Sequence, residues 1–316
     1  MKFCIIGPSC FGINLALYLQ SQGHSVFGIG RSKPKPAAFT LGLDWEYHVH
    51  HLTYDLENCI HLIRQKQPEF IVNFAAQGES AYSFNPDNWR YYETNSMGLS
   101  RLLALIDCGR FVQVGSSEVY GPTKEPALEG QLLNPTSPYS ISKAAFDLHL
   151  QAMRQKIVPF NIIRPSNCYT PGQQLHRIIP KTLLFGLTGK KLQLQGGGLQ
   201  KKSFLHADDL SKAILLICEK GLPGEIYNVG PKEPVSIARI VAICSQVLGM
   251  SYKDLIEEVP ARHGEDSVYW LNSEKVKALG WNEEISLEQG IAEMKGWVGK
   301  YLQELRVMPT EFAMRA

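Results

Sequence analysis

The chain has 316 residues, of which 44% are hydrophobic and 20% charged, and this is the composition of an ordinary globular protein, not of a disordered, fibrous or collagen-like one. Its 32 basic and 30 acidic residues leave a formal charge of +2, so no broad basic field exists to hold nucleic acid, and we expect no nucleic-acid partner. A chain of this length commonly forms one large domain with a smaller lobe.

Short apolar runs alternate with longer segments of helical period over the first half of the chain. The apolar runs predict strands at residues 3–6, 26–29, 70–74, 111–114 and 160–163. The segments of helical period predict helices at residues 13–20, 60–64, 99–106 and 142–154. This alternation is typical of an α/β fold with a doubly wound parallel sheet, in which helices cover both faces.

The domain organisation follows from the point at which this alternation loosens. We expect a Rossmann-like, NADP-binding domain over residues 1–165, with a return of the chain to it around residues 204–230. Residues 166–316 are expected to form mainly a smaller, mixed α/β lobe that holds the substrate. The predicted helices of the second half lie near residues 178–185, 210–218, 237–248 and 287–302.

Cysteine usage and the apolar segments indicate the compartment. The seven cysteines are scattered and never spaced as CxxC, so neither a disulfide framework nor a zinc site is predicted. The N-terminal apolar run is too short for a signal peptide, and no later segment has about 18 uninterrupted apolar residues. We expect reduced thiols, a cytoplasmic protein and no membrane partner.

The loop after the first predicted strand is a candidate phosphate site. It precedes a predicted helix, where backbone N–H groups and the helix N-terminus can hold a pyrophosphate. Cys10 replaces the middle glycine of the usual dinucleotide motif and the loop is one residue short, so an ordinary strand-to-helix turn is the alternative. The candidate contacts are Gly7, Ser9, Cys10, Phe11 and Gly12.

The second predicted strand ends without an acidic residue that could accept hydrogen bonds from an adenosine ribose. Arg31 follows it and can pair with a 2′-phosphate, which favours NADP and leaves NAD possible. The alternative for Arg31 is a solvated loop cation. Further candidate cofactor contacts lie at the carboxyl ends of the next strands, where ligands collect in such sheets. They are Asp55, Leu56, Phe74, Ala75, Ala76 and Gln77.

Tyr139 and Lys143 are four residues apart, which places a phenol and an ammonium on one face of a predicted helix. A nearby ammonium and a cationic nicotinamide ring favour phenolate, so we expect the pKa of Tyr139 to be lowered. Tyr139 could then take a hydroxyl proton while hydride leaves the same carbon. Ser116, at the end of the preceding strand, could join Tyr139 on the same substrate oxygen.

Motifs along almost the whole chain resemble those of the extended short-chain dehydrogenase/reductases, in the nucleotide-sugar epimerase/dehydratase family. Besides YxxxK at residues 139–143, they are residues 73–77 (NFAAQ), 93–98 (ETNSMG), 164–173 (RPSNCYTPGQ), 204–210 (FLHADDL), 227–230 (YNVG) and 278–281 (ALGW). The resemblance implies an NAD(P)-dependent enzyme with a nucleotide-diphosphate sugar as substrate. It places Asn95, Pro165, Tyr139 and Lys143 at the cofactor and, by analogy, implies a homodimer formed through two helices.

Glu118 is the residue that best sorts the chemistry within this family. An acidic residue here resembles the 4,6-dehydratases and the UDP-glucuronate decarboxylases, and residues 116–118 are closest to GDP-mannose 4,6-dehydratase-like enzymes. Oxidation of the sugar at C4 acidifies the C5 proton, which a carboxylate can remove while hydroxide leaves C6. Because Ser117 lacks the carboxylic acid of dTDP-glucose enzymes, Glu118 would carry both proton steps. The alternative is that Glu118 only pairs with a cation of the lobe.

A diphosphate needs local cations in a chain that is nearly neutral overall. The resemblance implies substrate contacts at Gln77, Ser117, Asn167, Lys181, Lys202 and Arg262. Lys202 stands where relatives often carry arginine, and it lacks the bidentate fork of arginine. A solvated surface position is the alternative for each cation. The closely spaced His48, His50 and His51 suit strand packing better than a metal triad, so no metal is predicted.

Together these features predict an NADP-dependent nucleotide-sugar 4,6-dehydratase. Tyr139 is the predicted C4 base, Lys143 its electrostatic partner, Ser116 a hydrogen-bond donor and Glu118 the acid and base. A 4-epimerase, a 4-dehydrogenase and a UDP-glucuronate decarboxylase of the same family stay open. The alternative from another class is a non-catalytic dinucleotide-binding scaffold, which the irregular phosphate loop would favour.

Overall fold

The computed structural model describes residues 1–33, 35–260 and 268–312, and strands and helices alternate along most of this length. The strands are β1 (Lys2–Ile6), β2 (Ser25–Gly30), β3 (Glu46–Val49), β4 (Phe70–Asn73), β5 (Arg110–Val114), β6 (Phe160–Pro165), β7 (Asn167–Tyr169), β8 (Leu192–Gln195), β9 (Lys201–Lys202), β10 (Phe204–His206), β11 (Ile226–Val229), β12 (Val235–Ser236) and β13 (Ile256–Val259).

The α-helices are α1 (Cys10–Ser21), α2 (Ala37–Thr40), α3 (Leu56–Lys66), α4 (Trp89–Tyr92), α5 (Leu99–Leu103), α6 (Pro138–Ala152), α7 (Ile178–Leu187), α8 (Ala207–Lys220), α9 (Ile237–Leu248), α10 (Tyr252–Leu255), α11 (Glu274–Lys277), α12 (Leu287–Lys300) and α13 (Leu302–Leu305). Short 3₁₀ helices lie at Ser80–Tyr82, Pro86–Asn88, Ser117–Tyr120 and Gly196–Gly198, and a π-helical stretch, Glu93–Gly98, joins α4 to α5.

Seven strands form one parallel sheet in the order β11-β6-β5-β4-β1-β2-β3. The strand order reverses between β1 and β4, and ligands of such sheets bind in the crevice at the carboxyl ends of the strands next to that reversal. Phe3 to Ile6 of β1 are at most 1% exposed, because helices cover both faces of a parallel sheet. The predicted doubly wound α/β fold is confirmed.

The two faces of the sheet have separate apolar cores. On one face, α1 and α8 pack on the strands through residues such as Leu15 and Ile214. On the other face, α3, α5 and α6 do so through Ile63, Leu102 and Phe146. Strand β11 pairs with β6 at the edge of the sheet. The chain therefore returns to the sheet after the segment that contains β7, β8, β9 and β10.

The lobe has its own core, built mainly from α7, α9 and α12, with β8 and β13 paired beside them. The predicted packing helix at the C-terminal end is α12. Its Trp297 is 5% exposed, and the indole N–H donates to the Ala38 carbonyl at 2.6 Å. The lobe therefore also packs against α2, which follows the second strand of the sheet.

Helix α6 begins at Pro138. Ser137 caps it: its hydroxyl accepts the Ser140 N–H at 3.1 Å, and the Ser140 hydroxyl accepts the Ser137 N–H at 3.0 Å. This reciprocal capping, with proline at the first helical position, fixes the start of the helix. Tyr139 consequently lies in its first turn.

None of the helices in the described ranges combines the length and apolar character needed to cross a bilayer. All seven cysteines are free.

Candidate active site

The turn from β1 into α1 is built for close backbone approach. Gly7 has φ +65°, and a Cβ at this position would overlap the backbone of Ala75 in the loop after β4. Ser9, the N-cap of α1, makes no side-chain cap hydrogen bond, so the first N–H groups of the helix are available to bind an anion. Cys10 is buried, and burial raises the pKa of its thiol to about 11. Phe11 and Gly12 continue the first turn.

The residues predicted for the adenosine end lie after β2 and β3. Arg31 directly follows β2, and its charge adds to burial in lowering the pKa of His51. The Asp55 carboxylate hydrogen-bonds the imidazole of His50 and the amide of Asn58, each at 2.6 Å. Leu56 is buried as the first residue of α3. Asp55 is therefore held by local bonds at the edge of the predicted site.

The loop after β4 is fixed by two buried asparagines. The Asn73 carboxamide oxygen accepts the Ala75 N–H at 3.1 Å. Asn95 accepts the Gln77 N–H at 2.7 Å and donates to the Gln77 carbonyl at 3.0 Å and to the Ser142 hydroxyl of α6 at 2.9 Å. The predicted contacts from Phe74 to Gln77 thus lie between the phosphate turn and α6.

Ser116 and Tyr139 meet at the carboxyl end of β5. Their hydroxyl groups are hydrogen-bonded to each other, and the Ser116 oxygen also accepts the Glu118 N–H at 3.2 Å. The pKa of Tyr139 is raised, first because the phenol is buried and second because the Glu118 carboxylate lies beside it, although the Ser116 hydrogen bond opposes this. The structure therefore brings together the hydroxyls that the sequence placed on one substrate oxygen.

Lys143 lies one turn further along α6 and faces inwards. Its ammonium donates to the Val114 carbonyl at 2.8 Å, and burial lowers its pKa to about 8, against the opposing charge of Asp147. The expectation that Lys143 lowers the pKa of Tyr139 is wrong for the polypeptide itself. The sequence spacing places both residues on one face of the helix, but burial and the Glu118 carboxylate determine the direction of the shift in the Tyr139 pKa.

Glu118 lies in the 3₁₀ helix Ser117–Tyr120, which follows β5, and Ser117 is buried at its start. Burial raises the pKa of Glu118, and the nearby Glu79 carboxylate adds to that. A hydrogen bond from Ser80 and the charges of Lys202 and Arg177 oppose it. A carboxyl whose pKa is raised in a cleft can both take and return a proton near neutral pH.

Behind this cleft lies a closed network of buried polar groups. The Arg164 guanidinium donates to Asp147 at 2.9 Å and to the Tyr120 hydroxyl at 2.7 Å, and Tyr120 donates to the Asn228 carboxamide at 2.8 Å. Arg164 and Asp147 are at most 1% exposed. Since β6, β11 and α6 each contribute a member, the network fixes the helix that carries Tyr139 and Lys143.

The residues predicted for the substrate are spread around the lobe side of the cleft. Asn167 begins β7, and Pro165 ends the adjacent β6. Lys202 of β9 lies with its ammonium 5.6 Å from the ring centre of Tyr269. Lys181 is paired with Glu311 at 2.7 Å. Arg262 lies outside the described residues.

Sequence reasoning missed four polar residues at this cleft: Glu79, Ser80, His176 and Arg177. The C-terminal segment also reaches them, with Phe312 against Tyr82 and His176 at ring-centre distances of 4.3 and 5.3 Å. The available signal was the polar run Gln77 to Ser80, which follows a buried strand at its carboxyl end.

Within the described part of the chain, one group of potential metal ligands comes together. His206, Asp208 and Glu293 offer ligand atoms within 4.8 Å of one another. Nδ1 of His206 accepts the Asp208 N–H at 3.3 Å, so in the neutral ring the proton lies on Nε2, which faces Glu293 at 3.3 Å. This arrangement caps α8 and places Nε2 of His206 beside the Glu293 carboxylate, and we assign no metal to it.

Comparison with known proteins identifies the family. Residues 5–230 match the NAD dependent epimerase/dehydratase family. This chain belongs to that family. The membership confirms the resemblance found in the sequence and the prediction that the protein is an enzyme.

Individual members of the NAD-dependent epimerase/dehydratase family are similar over most of this chain. A dTDP-D-glucose 4,6-dehydratase of Mus musculus is 30% identical over 249 residues, which are 76% of this chain and 70% of that protein. A trifunctional UDP-glucose 4,6-dehydratase, 3,5-epimerase and reductase of Arabidopsis thaliana is 32% identical over 253 residues. That match covers 77% of this chain, which spans just over a third (37%) of the plant protein.

A solved member of the same family has the same architecture. It is the dTDP-glucose 4,6-dehydratase from Bacillus anthracis in complex with NAD, which is 28% identical with a TM-score of 0.82. The superposition covers 96% of this chain and 98% of that one, so both the sheet and the lobe are shared.

Proposed function

We propose that this enzyme is a nucleotide-sugar 4,6-dehydratase that converts a nucleotide hexose to its 4-keto-6-deoxy form. The observation that carries the proposal is the half-buried carboxyl of Glu118, whose pKa is raised, beside the hydrogen-bonded pair of Tyr139 and Ser116. An epimerase needs only a base and hydride transfer at C4, whereas a dehydration also needs an acid–base group that reaches C5 and C6. The dehydratases among the relatives support this choice.

The first step is oxidation at C4. When bound, the nicotinamide cofactor accepts the hydride from C4 and later returns it. Tyr139 takes the proton of the C4 hydroxyl, and Ser116 donates a hydrogen bond to the same oxygen. Tyr139 reaches its phenolate form by releasing the phenol proton to solvent, and the positive ring of a bound oxidised nicotinamide would favour that form against burial and Glu118. Lys143 contributes positive charge from the next turn of α6.

The second step is elimination across C5 and C6. Glu118 takes the C5 proton, the C–H electron pair forms the C5–C6 double bond, and the C6–O bond breaks. Glu118 then gives the proton to the departing hydroxide, so that one water leaves. A reduced cofactor would supply the hydride to C6, Glu118 takes a proton from solvent and gives it to C5, and Tyr139 releases to solvent the proton that it took from the C4 hydroxyl. Ser117 cannot serve as a separate acid, so Glu118 carries both proton transfers.

The turn at Gly7 and the start of α1 fit a dinucleotide pyrophosphate, because uncapped N–H groups meet a backbone that approaches closely. We propose NADP as the preferred cofactor, on the basis of Arg31 after β2 and of the missing acidic residue there. Arg31→Ala should weaken NADP binding by about tenfold and leave NAD binding unchanged, measured by calorimetry. Equal affinities of the unaltered enzyme for NAD and NADP would refute the preference.

The substrate is proposed to lie between this site and the lobe. We propose that Gln77 and Ser117 contact the sugar, that Asn167 contacts the sugar or the first phosphate, and that Lys202 contacts the diphosphate. Lys181, at the start of α7, is proposed for the nucleotide base. Pocket shape selects the base and the sugar configuration.

Mass spectrometry on a panel of dTDP-, UDP- and GDP-hexoses tests the proposal. Loss of one water from one of them is the expected result. Loss of carbon dioxide from a UDP-hexuronate would favour a decarboxylase. A C4 epimer of unchanged mass would indicate an epimerase. A 4-keto sugar that forms while reduced cofactor accumulates would indicate a 4-dehydrogenase. No turnover despite dinucleotide binding would favour a scaffold.

We also propose a homodimer formed through α4 and α6. These helices pack together, and several large apolar side chains on and near them are exposed: Phe84, Trp89, Met97, Ile141 and Leu148. Light scattering after size exclusion should give twice the monomer mass, and Leu148→Glu should give the monomer. A monomeric unaltered protein would contradict the proposal.

A further inference from the structure

A second carboxylate, Glu79, lies beside the proposed acid–base group and has no part in the mechanism above. Its side chain is 17% exposed. One carboxylate oxygen forms an ion pair with the Arg177 guanidinium at 2.9 Å and a hydrogen bond with the His176 imidazole at 3.0 Å. Glu79 belongs to the loop after β4, whereas His176 and Arg177 directly precede α7 of the lobe. The three residues therefore join the lobe to the sheet across the cleft.

The backbone at Glu79 is held in an unusual conformation. Its φ of +79° is in the left-handed region, which costs a non-glycine residue about 1 kcal/mol or more. The hydroxyl of the fully buried Tyr91 donates to the carbonyls of Gly78 and Glu79, both at 3.1 Å, and so fixes this turn. The turn directs Glu79 to Arg177 of the lobe and the following residue, Ser80, to Ser137 at the start of α6.

Ser80 connects the turn to the proposed reaction centre. Its hydroxyl lies beside the Glu118 carboxyl and donates at 2.8 Å to the hydroxyl of Ser137, which caps the helix of Tyr139. The charged groups that face Glu118 come from three elements: Glu79 from the loop after β4, Arg177 from the start of α7, and Lys202 from β9. Of these, only Glu79 is negative.

We propose that Glu79 is a positioning residue for the dehydration: it pins Arg177 and His176 of the lobe to the loop that carries Ser80, and thereby fixes the surroundings of Glu118. The inference rests on the function proposed above. Glu79 itself stays ionised, because, although burial opposes this, the His176 hydrogen bond and the Arg177 charge hold its pKa below the ordinary value. It therefore acts through its charge and its bonds and does not transfer a proton.

The sign of the effect on Glu118 follows from the charges. An ionised Glu79 disfavours a second negative charge and helps Glu118 to keep its proton. Replacing Glu79 with glutamine removes that repulsion and also releases Arg177, whose positive charge favours ionised Glu118. Both changes make Glu118 lose its proton at lower pH.

The test compares pH profiles of kcat and KM for the unaltered enzyme and Glu79→Gln, on a nucleotide hexose that the unaltered enzyme dehydrates. We expect the acidic limb of kcat to move down by about one pH unit and KM to rise by about tenfold. Glu79→Asp retains the charge but shortens the reach, so the acidic limb of its kcat profile should move down less than that of Glu79→Gln, while KM still rises. Glu288→Gln is the matched control, because Glu288 forms a 2.9 Å pair with Arg239 on the surface of the lobe.

A Glu79→Gln enzyme whose activity falls by one factor at every pH, or does not change, would overturn the inference. A second measurement tests the inference about Glu79 independently of the proposed function. Titration of the ¹³C-labelled Glu118 carboxyl by NMR, assigned with Glu118→Gln, reports the same change without turnover. If no hexose is dehydrated, the proposed function fails, and the inference about Glu79 then depends on this titration. An unchanged Glu118 titration in Glu79→Gln contradicts it.

Discussion

Two ion pairs lie near the proposed reaction centre, and they differ in their access to a ligand. The inner group, Arg164 with Asp147, is at most 1% exposed, and its bonds end on buried partners. The cleft group, Glu79 with Arg177, keeps side-chain exposures of 17% and 42%. Ion pairs of similar length therefore have different roles here. The inner pair fixes the fold, and the cleft pair leaves charge accessible to a ligand.

Helix α6 links the two groups, because its Asp147 belongs to the inner one and its Tyr139 lies beside Glu118 in the cleft. The largest expected effect therefore concerns Tyr139. Tyr139→Phe should lower turnover by about 10³-fold and leave nucleotide-sugar affinity largely intact, because it removes the C4 base and little bulk. Initial rates and calorimetric Kd values measure this. A phenylalanine enzyme that retains a tenth of the activity would remove Tyr139 from the chemistry.

The next effect separates the two steps within the cleft. Glu118→Gln should allow C4 oxidation yet lower dehydration by about 10²-fold or more, because the amide cannot take the C5 proton. The measurement is rapid quench of a single turnover, with the 4-keto hexose accumulating ahead of the dehydrated product. Unimpaired dehydration in this variant would exclude Glu118 from the mechanism.

A matched pair of arginine substitutions contrasts the two groups directly. Arg164→Met should lower the free energy of unfolding by about 3–5 kcal/mol, because it leaves the Asp147 charge buried without its partner. Arg177→Met should lower it by about 1 kcal/mol or less, because its pair is partly exposed. Urea unfolding followed by fluorescence measures both. Equal losses would mean that the groups do not differ in the way described.

A smaller effect is the pH dependence of kcat/KM that the titration of Lys143 and Glu118 imposes. Burial lowers the pKa of Lys143 to about 8, so its ammonium is lost as pH rises through that value. The raised pKa of Glu118 means that the base form is lost as pH falls. The profile of kcat/KM should therefore be bell-shaped, falling about tenfold per unit above pH about 8. A profile that stays flat to about pH 10 would contradict the assignment to Lys143.

The smallest expected effect lies at the edge of the cleft. Lys181 is paired with Glu311, whose side chain is 78% exposed, and such pairs contribute little to stability. Glu311→Gln should release Lys181 and lower KM for the nucleotide sugar about two- to fivefold, whereas Lys181→Met should raise it. If both variants keep the KM of the unaltered enzyme, Lys181 is not a substrate contact.

The comparison of these groups also explains what could be predicted from the sequence. The sheet, its helices and the meeting of Ser116 with Tyr139 were predictable, because strand ends converge at one edge and a fixed helical spacing aligns two side chains. The pair of Glu79 and Arg177 was not, because it depends on how the lobe docks on a loop almost a hundred residues earlier in the chain. The direction of the Tyr139 pKa shift was also missed, since burial cannot be read from spacing.

The most direct test of the central claim follows one hydrogen atom. A nucleotide hexose carrying deuterium at C4 is incubated with the enzyme and its cofactor, and the product is analysed by mass spectrometry and NMR. The proposed dehydration predicts a product lighter by one water, with the deuterium in the C6 methyl group, because the hydride taken from C4 returns to C6. A product of unchanged mass with deuterium still at C4 would contradict it.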